Sequence, residues 1–240
     1  MNIDYNFTPE QYEKLYKRFI SDERTECLVK AVDCKGKIVM DICAGGGRLT
    51  KKALDCGAKS VVAIDIDPHV EKLSNADKHI LGLNISVENM ATMPAFRPEL
   101  YSVFVQEKIQ VMYCQQAINY WFDFHTLASI VEAFGSKDLQ FCFNTFNTKP
   151  SYKPQSKSYT IDGVGYVETW QLVKHGLIEN VYHVQSCEGM EPHLTMFRWI
   201  DREEYLNTLN HIFNEVNEIV DGGSTIWVAK GVKDVILYPE

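Results

Sequence analysis

Short apolar runs alternate with helix-like segments over the first 146 residues of the chain. Five such runs lie at 38–43, 60–65, 85–90, 109–113 and 139–146. Nearly continuous apolar strands separated by helices are typical of a parallel sheet that is covered on both faces. The pattern therefore predicts a doubly wound α/β core with a mostly parallel sheet.

The segment 1–36 shows helical spacing and predicts an N-terminal helical extension. Its first helix begins at Thr8, an N-cap residue followed by proline, and a second begins at Asp22. The aromatic residues along the first helix are Tyr12, Tyr16 and Phe19. Two interpretations stay open, because such residues can form a lid over a ligand or pack in an ordinary core.

The pattern changes after residue 146. The segment 147–158 is polar and contains two prolines, and four β-rich segments separated by turn signals follow it as far as 199. This succession indicates an antiparallel meander. We predict one domain over 1–240, made of a helical lid (1–36), a core (37–146), a β-rich insertion (147–199) and a final helix and strand (200–240).

Composition narrows the classes of protein. Hydrophobic residues make up 45 % and charged residues 23 %, and the net charge is −8, which argues against a general nucleic-acid binder. The seven cysteines include no Cys-x-x-Cys pair, and the histidines show no metal-ligand spacing. We expect a reduced, cytoplasmic chain without a metal site, a secretory signal or a membrane span.

A glycine turn follows the first apolar run and carries the most informative chemistry. Asp41 begins the sequence Asp-Ile-Cys-Ala-Gly-Gly-Gly, and a second acid, Asp65, ends the next run. Glycines at 45 and 47 permit a tight turn and a close approach of a ligand. An acid at the end of the neighbouring strand can accept ribose hydroxyls. The dinucleotide pattern G-x-G-x-x-G is absent, because Thr50 stands at its third glycine.

This turn resembles the first motif of class I S-adenosylmethionine-dependent methyltransferases, (Asp/Glu)-x-Gly-x-Gly-x-Gly. The resemblance continues with Asp65, with 87–94, which is similar to the family's "GDM..LP" segment, and with 113–120, where the fourth strand meets cofactor and substrate. It covers about residues 10–146 and the final strand. It implies a Rossmann-like sheet of seven strands.

The chain departs from the family pattern at two positions. Cys43 replaces the first glycine of the motif, and a cysteine fits there if its φ is negative. Asn89 replaces the usual aspartate, and its amide oxygen can still accept a hydrogen bond from an amine.

The resemblance implies S-adenosylmethionine as the cofactor. The turn at 44–47 would pack against its methionine part, Asp65 would bind the ribose, Asn89 and Met90 would flank the adenine, and Gln115 would lie near the methionine. The full set of implied cofactor-binding residues is Asp41, Cys43, Ala44, Gly45, Gly47, Asp65, Ile66, Asn89, Met90, Cys114 and Gln115.

Two of these cofactor-binding residues have a neighbouring acid as an alternative, and a third residue is a candidate for catalysis. Asp67 competes with Asp65 for the ribose, but its place before a proline fits a helix N-cap. Glu88 competes with Asn89, and alternation along the expected strand points the two to opposite faces. His125, after the fourth apolar run, is a candidate catalytic base, although a capping or surface role is favoured for a histidine at this position.

The methyl acceptor is expected to be a small molecule. Residues 114–117 read Cys-Gln-Gln-Ala where a nucleic-acid amino-methyltransferase would carry (Asp/Asn)-Pro-Pro-(Tyr/Phe). The meander looks like the insertion of small-molecule N-methyltransferases, which roofs the substrate pocket or forms a dimer contact, so a homodimer stays open. Candidate substrate-binding residues are Tyr16, Tyr120, Trp170 and Arg198, with Glu168, His183 and His193 as further members.

We therefore expect a methyltransferase of a small molecule, with an amine nitrogen favoured over oxygen as the acceptor. Two alternatives remain: a methyltransferase of protein or RNA, and an S-adenosylmethionine-binding protein without methyl transfer. We expect no nucleic acid and no membrane among the partners.

Overall fold

The computed structural model describes residues 9–15, 21–92, 108–221, 224–234 and 236. The larger of its two sheets has seven strands: β1 (Ile38–Ile42), β2 (Ser60–Asp65), β3 (Ile80–Asn84), β4 (Ile109–Cys114), β5 (Gly135–Phe146), β10 (Phe213–Asp221) and β11 (Ser224–Val232). The smaller has four: β6 (Gln155–Ile161), β7 (Val164–His175), β8 (Ile178–Cys187) and β9 (His193–Arg198). The described helices are α1 (Pro9–Leu15), α2 (Asp22–Lys30), α3 (Arg48–Asp55), α4 (Glu71–Ala76), α5 (Val87–Thr92), α6 (Phe124–Phe134) and α7 (Arg202–Ile212).

The larger sheet has the order β10-β11-β5-β4-β1-β2-β3. Strands β1 to β5 run parallel, and β11 runs antiparallel to both of its neighbours, β5 and β10. From β1 the chain adds β2 and β3 on one side, and it then returns to the other side of β1 to add β4 and β5. The strand order therefore switches between β1 and β4. The predicted doubly wound, mostly parallel seven-stranded sheet is confirmed, and its switch point is where such folds bind ligands.

Both faces of this sheet are buried, which explains why its central strands are almost continuously apolar. Along β1, Met40 faces a core that includes helix α6. Val39, its neighbour, faces a second core that contains Leu28 of α2 and Leu49 of α3. Alternating side chains of one strand therefore enter two different cores.

The N-terminal helix α2 is fastened to the sheet by hydrogen bonds as well as by packing. The Tyr113 hydroxyl on β4 donates to the Val29 carbonyl at 3.0 Å, and Val29 is buried. Glu26 on the outer side of α2 pairs with Lys52 of α3 at 3.2 Å. These contacts fix α2 beside the carboxyl end of β4.

The third predicted strand, at 85–90, is wrong. Helical structure does follow Asp67, whose carboxylate accepts a hydrogen bond from the His69 backbone as a cap should, but α4 ends at Ala76 and β3 occupies 80–84. Ser86 then starts α5, because its hydroxyl accepts from the backbone N–H of Asn89. An apolar run this short cannot separate strand from helix by periodicity alone.

Strand β10 is missing from the sequence prediction. The helix predicted within 200–240 ends at Ile212, and the next nine residues form an edge strand that pairs antiparallel with β11. Most of its residues after Phe213 are exposed or half-buried. An edge strand that is exposed to solvent contains few apolar residues, so its sequence resembles that of a loop.

None of the helices within the described ranges is long and apolar enough to span a membrane.

Strand β3 passes close to the backbone of the turn at 68–70, and this contact can be tested by mutation. A Cβ added to Gly82 would lie 2.0 Å from the Val70 carbonyl oxygen. We expect Gly82→Ala to lower the free energy of unfolding by about 2–3 kcal/mol, because backbone atoms must separate. The matched control is Gly165→Ala in β7, where a Cβ meets nothing within 4 Å. Urea titrations should show little change for the control, and equal losses for the two variants would contradict the described packing.

Candidate functional site

The glycine turn joins β1 to α3 at the carboxyl edge of the sheet. Its backbone is held by two hydrogen bonds: Ala44 N–H donates to the Ile64 carbonyl at 3.0 Å, and Gly47 N–H to the Ala44 carbonyl at 2.9 Å. Gly47 has φ 77°, and a Cβ there would lie 2.6 Å from the Leu73 side chain. Glycine is therefore required at 47 both by conformation and by space.

The Asp65 carboxylate is anchored to this turn. Its Oδ2 accepts the backbone N–H of Gly45, and its Oδ1 accepts that of Asp67, both at 2.8 Å. Burial raises the pKa of Asp65 above its ordinary value. The rival acid, Asp67, uses its own carboxylate on the His69 backbone and ring. Of the two acids, Asp65 is therefore the one attached to the glycine turn.

Asp41 lies buried on β1 beneath the turn. The Thr50 hydroxyl of α3 donates to its Oδ2 at 2.6 Å. Burial raises the pKa of Asp41 from 3.8 to about 7, against the Thr50 hydrogen bond, and the nearby charge of Asp65 adds to the rise. The charge of Asp41 therefore changes near neutral pH, next to the ends of β1 and β2.

Cys43 has a φ of 60°, so the condition of a negative φ is not met. This left-handed conformation favours glycine, the residue of the family motif, and is uncommon for other residues. Its neighbour across the sheet is Cys114, which ends β4 directly opposite Ile42. A hydrogen bond between the two thiols, together with burial, raises the pKa of Cys43 well above its ordinary value. The neighbouring thiol and burial together leave Cys43 as a neutral thiol.

The residues expected at the adenine lie on helix α5, not on a strand. Asn89 and Glu88 are both exposed, so the strand-alternation argument that separated them is wrong. Met90 is fully buried in the core. Ile66, next to Asp65, is 46 % exposed, and its carbonyl accepts from the Asn84 side chain at 2.7 Å.

The end of β4 is linked to two other elements. The Gln115 amide donates to the Thr25 hydroxyl of α2 at 3.0 Å. The next residue, Gln116, has φ 60°, and its N–H donates to the Asn144 side chain of β5 at 2.9 Å. Gln115 is therefore held between the N-terminal helix and the switch point.

The four-stranded sheet β6–β9, here called the roof sheet, meets the larger sheet at this same edge. Phe197 on β9 stacks on Phe146, the last residue of β5, with ring centroids 5.9 Å apart. Tyr120, six residues after β4, packs edge-on against Phe197 at 5.8 Å. The roof sheet is thus attached through aromatic contacts to the carboxyl ends of β4 and β5.

The Tyr120 hydroxyl is a neutral hydrogen-bonding group. Burial raises the pKa of Tyr120 to about 12, and Cys43 contributes a smaller effect of the same sign. The residue as a whole exposes 40 % of its surface. Its ring contacts Phe197 of the roof sheet, and its hydroxyl stays protonated near neutral pH.

The other predicted substrate and catalytic residues lie in different places. Trp170, on the roof sheet, stacks on His183 with ring centroids 3.5 Å apart. Arg198 ends β9, and its guanidinium donates to Glu204 of α7 at 2.7 Å. His125 is exposed on α6, with its ring edge-on to Phe124. Tyr16 lies outside the described residues.

Several polar partners were not found from the sequence: Thr25, Thr50, Gln185 and Thr195. Thr25 and Thr50 contact the site from helices, at positions that tertiary packing determines. Gln185 and Thr195 were within reach, because strand alternation from His183 along β8 and from Phe197 along β9 places them on the same face. Within the described part of the chain, no cluster of three or more His, Cys, Asp or Glu side chains is placed to bind a metal ion.

No protein-family model matches the sequence, and no curated protein matches it either. Solved structures do match. A S-adenosylmethionine-bound amino pentose methyltransferase from Micromonospora echinaspora has a TM-score of 0.64 at 12 % identity, over 92 % of this chain and 96 % of that one. A sugar N-methyltransferase from a Streptoalloteichus species has a TM-score of 0.57 at 12 % identity, over 92 % and 93 %.

A S-adenosylmethionine-dependent methyltransferase from Clostridium acetobutylicum has a TM-score of 0.58 at 17 % identity, over 92 % of this chain and 96 % of that one. Identities this low show the fold and nothing finer. The chain therefore has the Rossmann-like fold of these methyltransferases, as the resemblance predicted.

The raised pKa of Asp41 predicts a distinct pH dependence of stability. Between about pH 4 and pH 7 the folded protein keeps a proton on Asp41 that the unfolded chain releases, so Asp41 makes stability fall as pH rises through this window. Asp41→Asn removes that effect. Between about pH 4 and pH 7, the free energy of unfolding of this variant should therefore fall by roughly 3 kcal/mol less than that of the unmodified protein. Urea unfolding at several pH values measures this difference.

The exposed Asp55→Asn on α3 is the matched control, and it should follow the unmodified protein at every pH. If Asp41→Asn also followed it, the buried, protonated state of Asp41 would be refuted.

Proposed function

We propose that this protein is a S-adenosylmethionine-dependent methyltransferase that methylates an amine nitrogen of a small molecule. The observation that carries the proposal is the Asp65 carboxylate bound to the Gly45 N–H at the ends of β2 and β1. It supports the proposal because the carboxylate, which could accept ribose hydroxyls, is attached to a glycine turn at the switch point of a doubly wound sheet. The solved methyltransferases that share the fold support it.

The residues present fit such a cofactor. A Cβ added to Gly45 would meet no atom within 4 Å, so open space lies beside the turn. Asp65 offers carboxylate oxygens that accept hydroxyl donors. Gln115 offers polar groups where a cationic amino group would be stabilised, and the Asp41 carboxyl, which changes charge near neutral pH, would add to this in its ionised form. When bound, S-adenosylmethionine would supply a methyl group already activated on a sulfonium.

The chain's own residues would then bind and align the acceptor. Proximity and orientation supply much of the acceleration when the donor is already activated, so side chains that fix the acceptor matter most. Tyr120 is a candidate for this task, because its partly exposed, neutral side chain follows β4 and contacts Phe197 of the roof sheet. His125 is exposed on α6, and a role as catalytic base stays a prediction.

A small acceptor is supported by the roof sheet and by charge. The roof sheet contacts the carboxyl edge of the larger sheet through Phe146, Phe197 and Tyr120, and these aromatic side chains would bound a small acceptor. The net charge of −8 disfavours an RNA substrate. All seven cysteines are free thiols, which supports the proposed cytoplasmic setting.

Cofactor binding can be tested by thermal unfolding. We expect S-adenosylmethionine to raise the Tm, since a ligand that binds only the folded state stabilises it by mass action. Asp65→Ala should abolish the rise, because two charge-assisted hydrogen bonds to the ribose are lost. Asp67→Ala, the matched control, should lower the starting Tm through the lost cap but keep the rise. No rise in the unmodified protein would refute the proposal.

Methyl transfer and acceptor class need a second assay. We expect S-adenosylhomocysteine to form with members of a panel of small primary and secondary amines, and less with phenols or carboxylic acids.

Tyr120→Phe should lower turnover about tenfold or more through the loss of one positioning hydrogen bond, with cofactor binding unchanged. Tyr182→Phe, whose hydroxyl lies beside the His175 ring at 3.5 Å, is the control. Turnover with RNA or protein extracts alone would favour the macromolecular alternative, and no turnover at all would favour a cofactor-binding protein.

A further inference from the structure

The glycine turn and Gln115 leave the larger sheet side by side. Ile42, the last residue of β1, pairs in register with Cys114, the last residue of β4, so the segments that follow them are neighbours. Open space lies beside the turn, because a Cβ added to Gly45 would meet no atom within 4 Å. Gln115 is half-buried, so part of its side chain is accessible at this edge. Strand register therefore places Gln115 in the crevice where doubly wound sheets bind ligands.

The backbone around Gln115 is fixed by its neighbour. Gln116 has φ 60°, and its N–H donates to the Asn144 side chain of β5 at 2.9 Å. Only the side-chain torsions of Gln115 are then left to be held. A free glutamine side chain samples many rotamers, and a ligand that used it would have to order it on binding. The contact that holds the carboxamide therefore decides whether Gln115 is ready to bind.

That contact is made by Thr25 of α2. Gln115 Nε2 donates to Thr25 Oγ1 at 3.0 Å, and Gln115 Oε1 lies 3.2 Å from the same hydroxyl. Thr25 is only 1 % exposed, and its hydroxyl lies 3.1 Å from the Ser21 carbonyl, which can accept its proton. Within the described part of the chain, no other group hydrogen-bonds the Gln115 side chain. Thr25 is thus satisfied without Gln115, whereas the orientation of Gln115 depends on Thr25.

Helix α2 is itself held on both sides of the crevice. Asp22, one turn before Thr25, forms an ion pair with Arg48, the first residue of α3 after the glycine turn. Glu26, the residue after Thr25, pairs with Lys52 of α3 at 3.2 Å. The helix therefore bridges the element that follows β1 and the residue that follows β4. Thr25 is fixed between them.

The Gln115 carboxamide keeps hydrogen-bonding capacity for a ligand. A carboxamide has two N–H donors and two acceptor lone pairs, and the single Thr25 hydroxyl engages at most one of each. One donor and one lone pair remain. The amino-acid end of S-adenosylmethionine carries an ammonium, which donates, and a carboxylate, which accepts. In the strand order β4-β1-β2, Gln115 and Asp65 lie on opposite sides of the glycine turn, so the two would bind different ends of the cofactor.

We propose that Thr25 is a positioning residue, which holds the Gln115 carboxamide in the orientation that binds the amino-acid end of S-adenosylmethionine. The N-terminal helix then contributes to cofactor affinity through Gln115, without a contact of Thr25 to the cofactor itself. This inference rests on the proposed function.

Two ligands distinguish positioning from a general effect on the fold. S-adenosylhomocysteine has the amino-acid end, and 5′-methylthioadenosine has the same adenosine without it. Thr25→Val, which replaces the hydroxyl by a methyl group, should raise the Kd of S-adenosylhomocysteine about tenfold, with little change for 5′-methylthioadenosine. Thr25→Ser keeps the hydroxyl and should restore the affinity. Isothermal titration calorimetry measures all four values, and a structural role alone would change both ligands alike.

Further variants test the path through Gln115. Gln115→Leu should weaken S-adenosylhomocysteine by a similar factor, and Thr25→Val should add little to it, because residues that act as a pair are not additive. Thr208→Val on α7 changes another threonine that is only 9 % exposed, and it should bind both ligands as the unmodified protein does. Thr25→Ala serves if the valine variant does not fold.

The outcomes separate this role from the proposed function. If the unmodified protein bound neither ligand, the methyltransferase proposal would be refuted, and the role of Thr25 with it. If the ligands bind, three results would overturn the role of Thr25 alone: unchanged S-adenosylhomocysteine affinity in Thr25→Val, equal losses for both ligands, or full additivity with Gln115→Leu.

Discussion

The hydrogen bond from the Gly45 N–H to the Asp65 carboxylate is the contact on which the proposed site depends. It joins the turn after β1 to the end of β2, and a second bond from the Asp67 N–H fixes the other oxygen. The acid is therefore oriented before any ligand arrives. Pre-organisation of this kind lowers the free energy that binding must spend on ordering.

The fold around this contact was largely readable from the sequence, because two buried faces make the core strands apolar throughout. The incorrect predictions of secondary structure concern segments in which this apolar pattern is weak or ambiguous. Ser86 starts a helix inside an apolar run that resembled a strand, and β10 is a polar edge strand. At the site, Asp65 and the glycines were found from motif spacing, whereas the positive φ of Cys43 depends on a backbone path that the sequence does not display.

The two halves of the site differ in how they were found. The cofactor half follows from one continuous stretch of chain, from β1 to β2. Any acceptor half would draw on the roof sheet, where Glu168, His183 and Gln185 come together only through strand register. The roof sheet meets the ends of β4 and β5 through Phe197, which contacts Tyr120 and Phe146. A shared fold at 12 % identity does not indicate which substrate this chain takes.

The most direct test of the central claim is a crystal structure of the protein with S-adenosylhomocysteine. We predict that both ribose hydroxyls lie within hydrogen-bond distance of the Asp65 carboxylate, that Gly45 keeps its hydrogen bond to that group, and that the sulfur faces Tyr120. Binding elsewhere, or a ribose held by other residues with Asp65 turned away, would contradict the account.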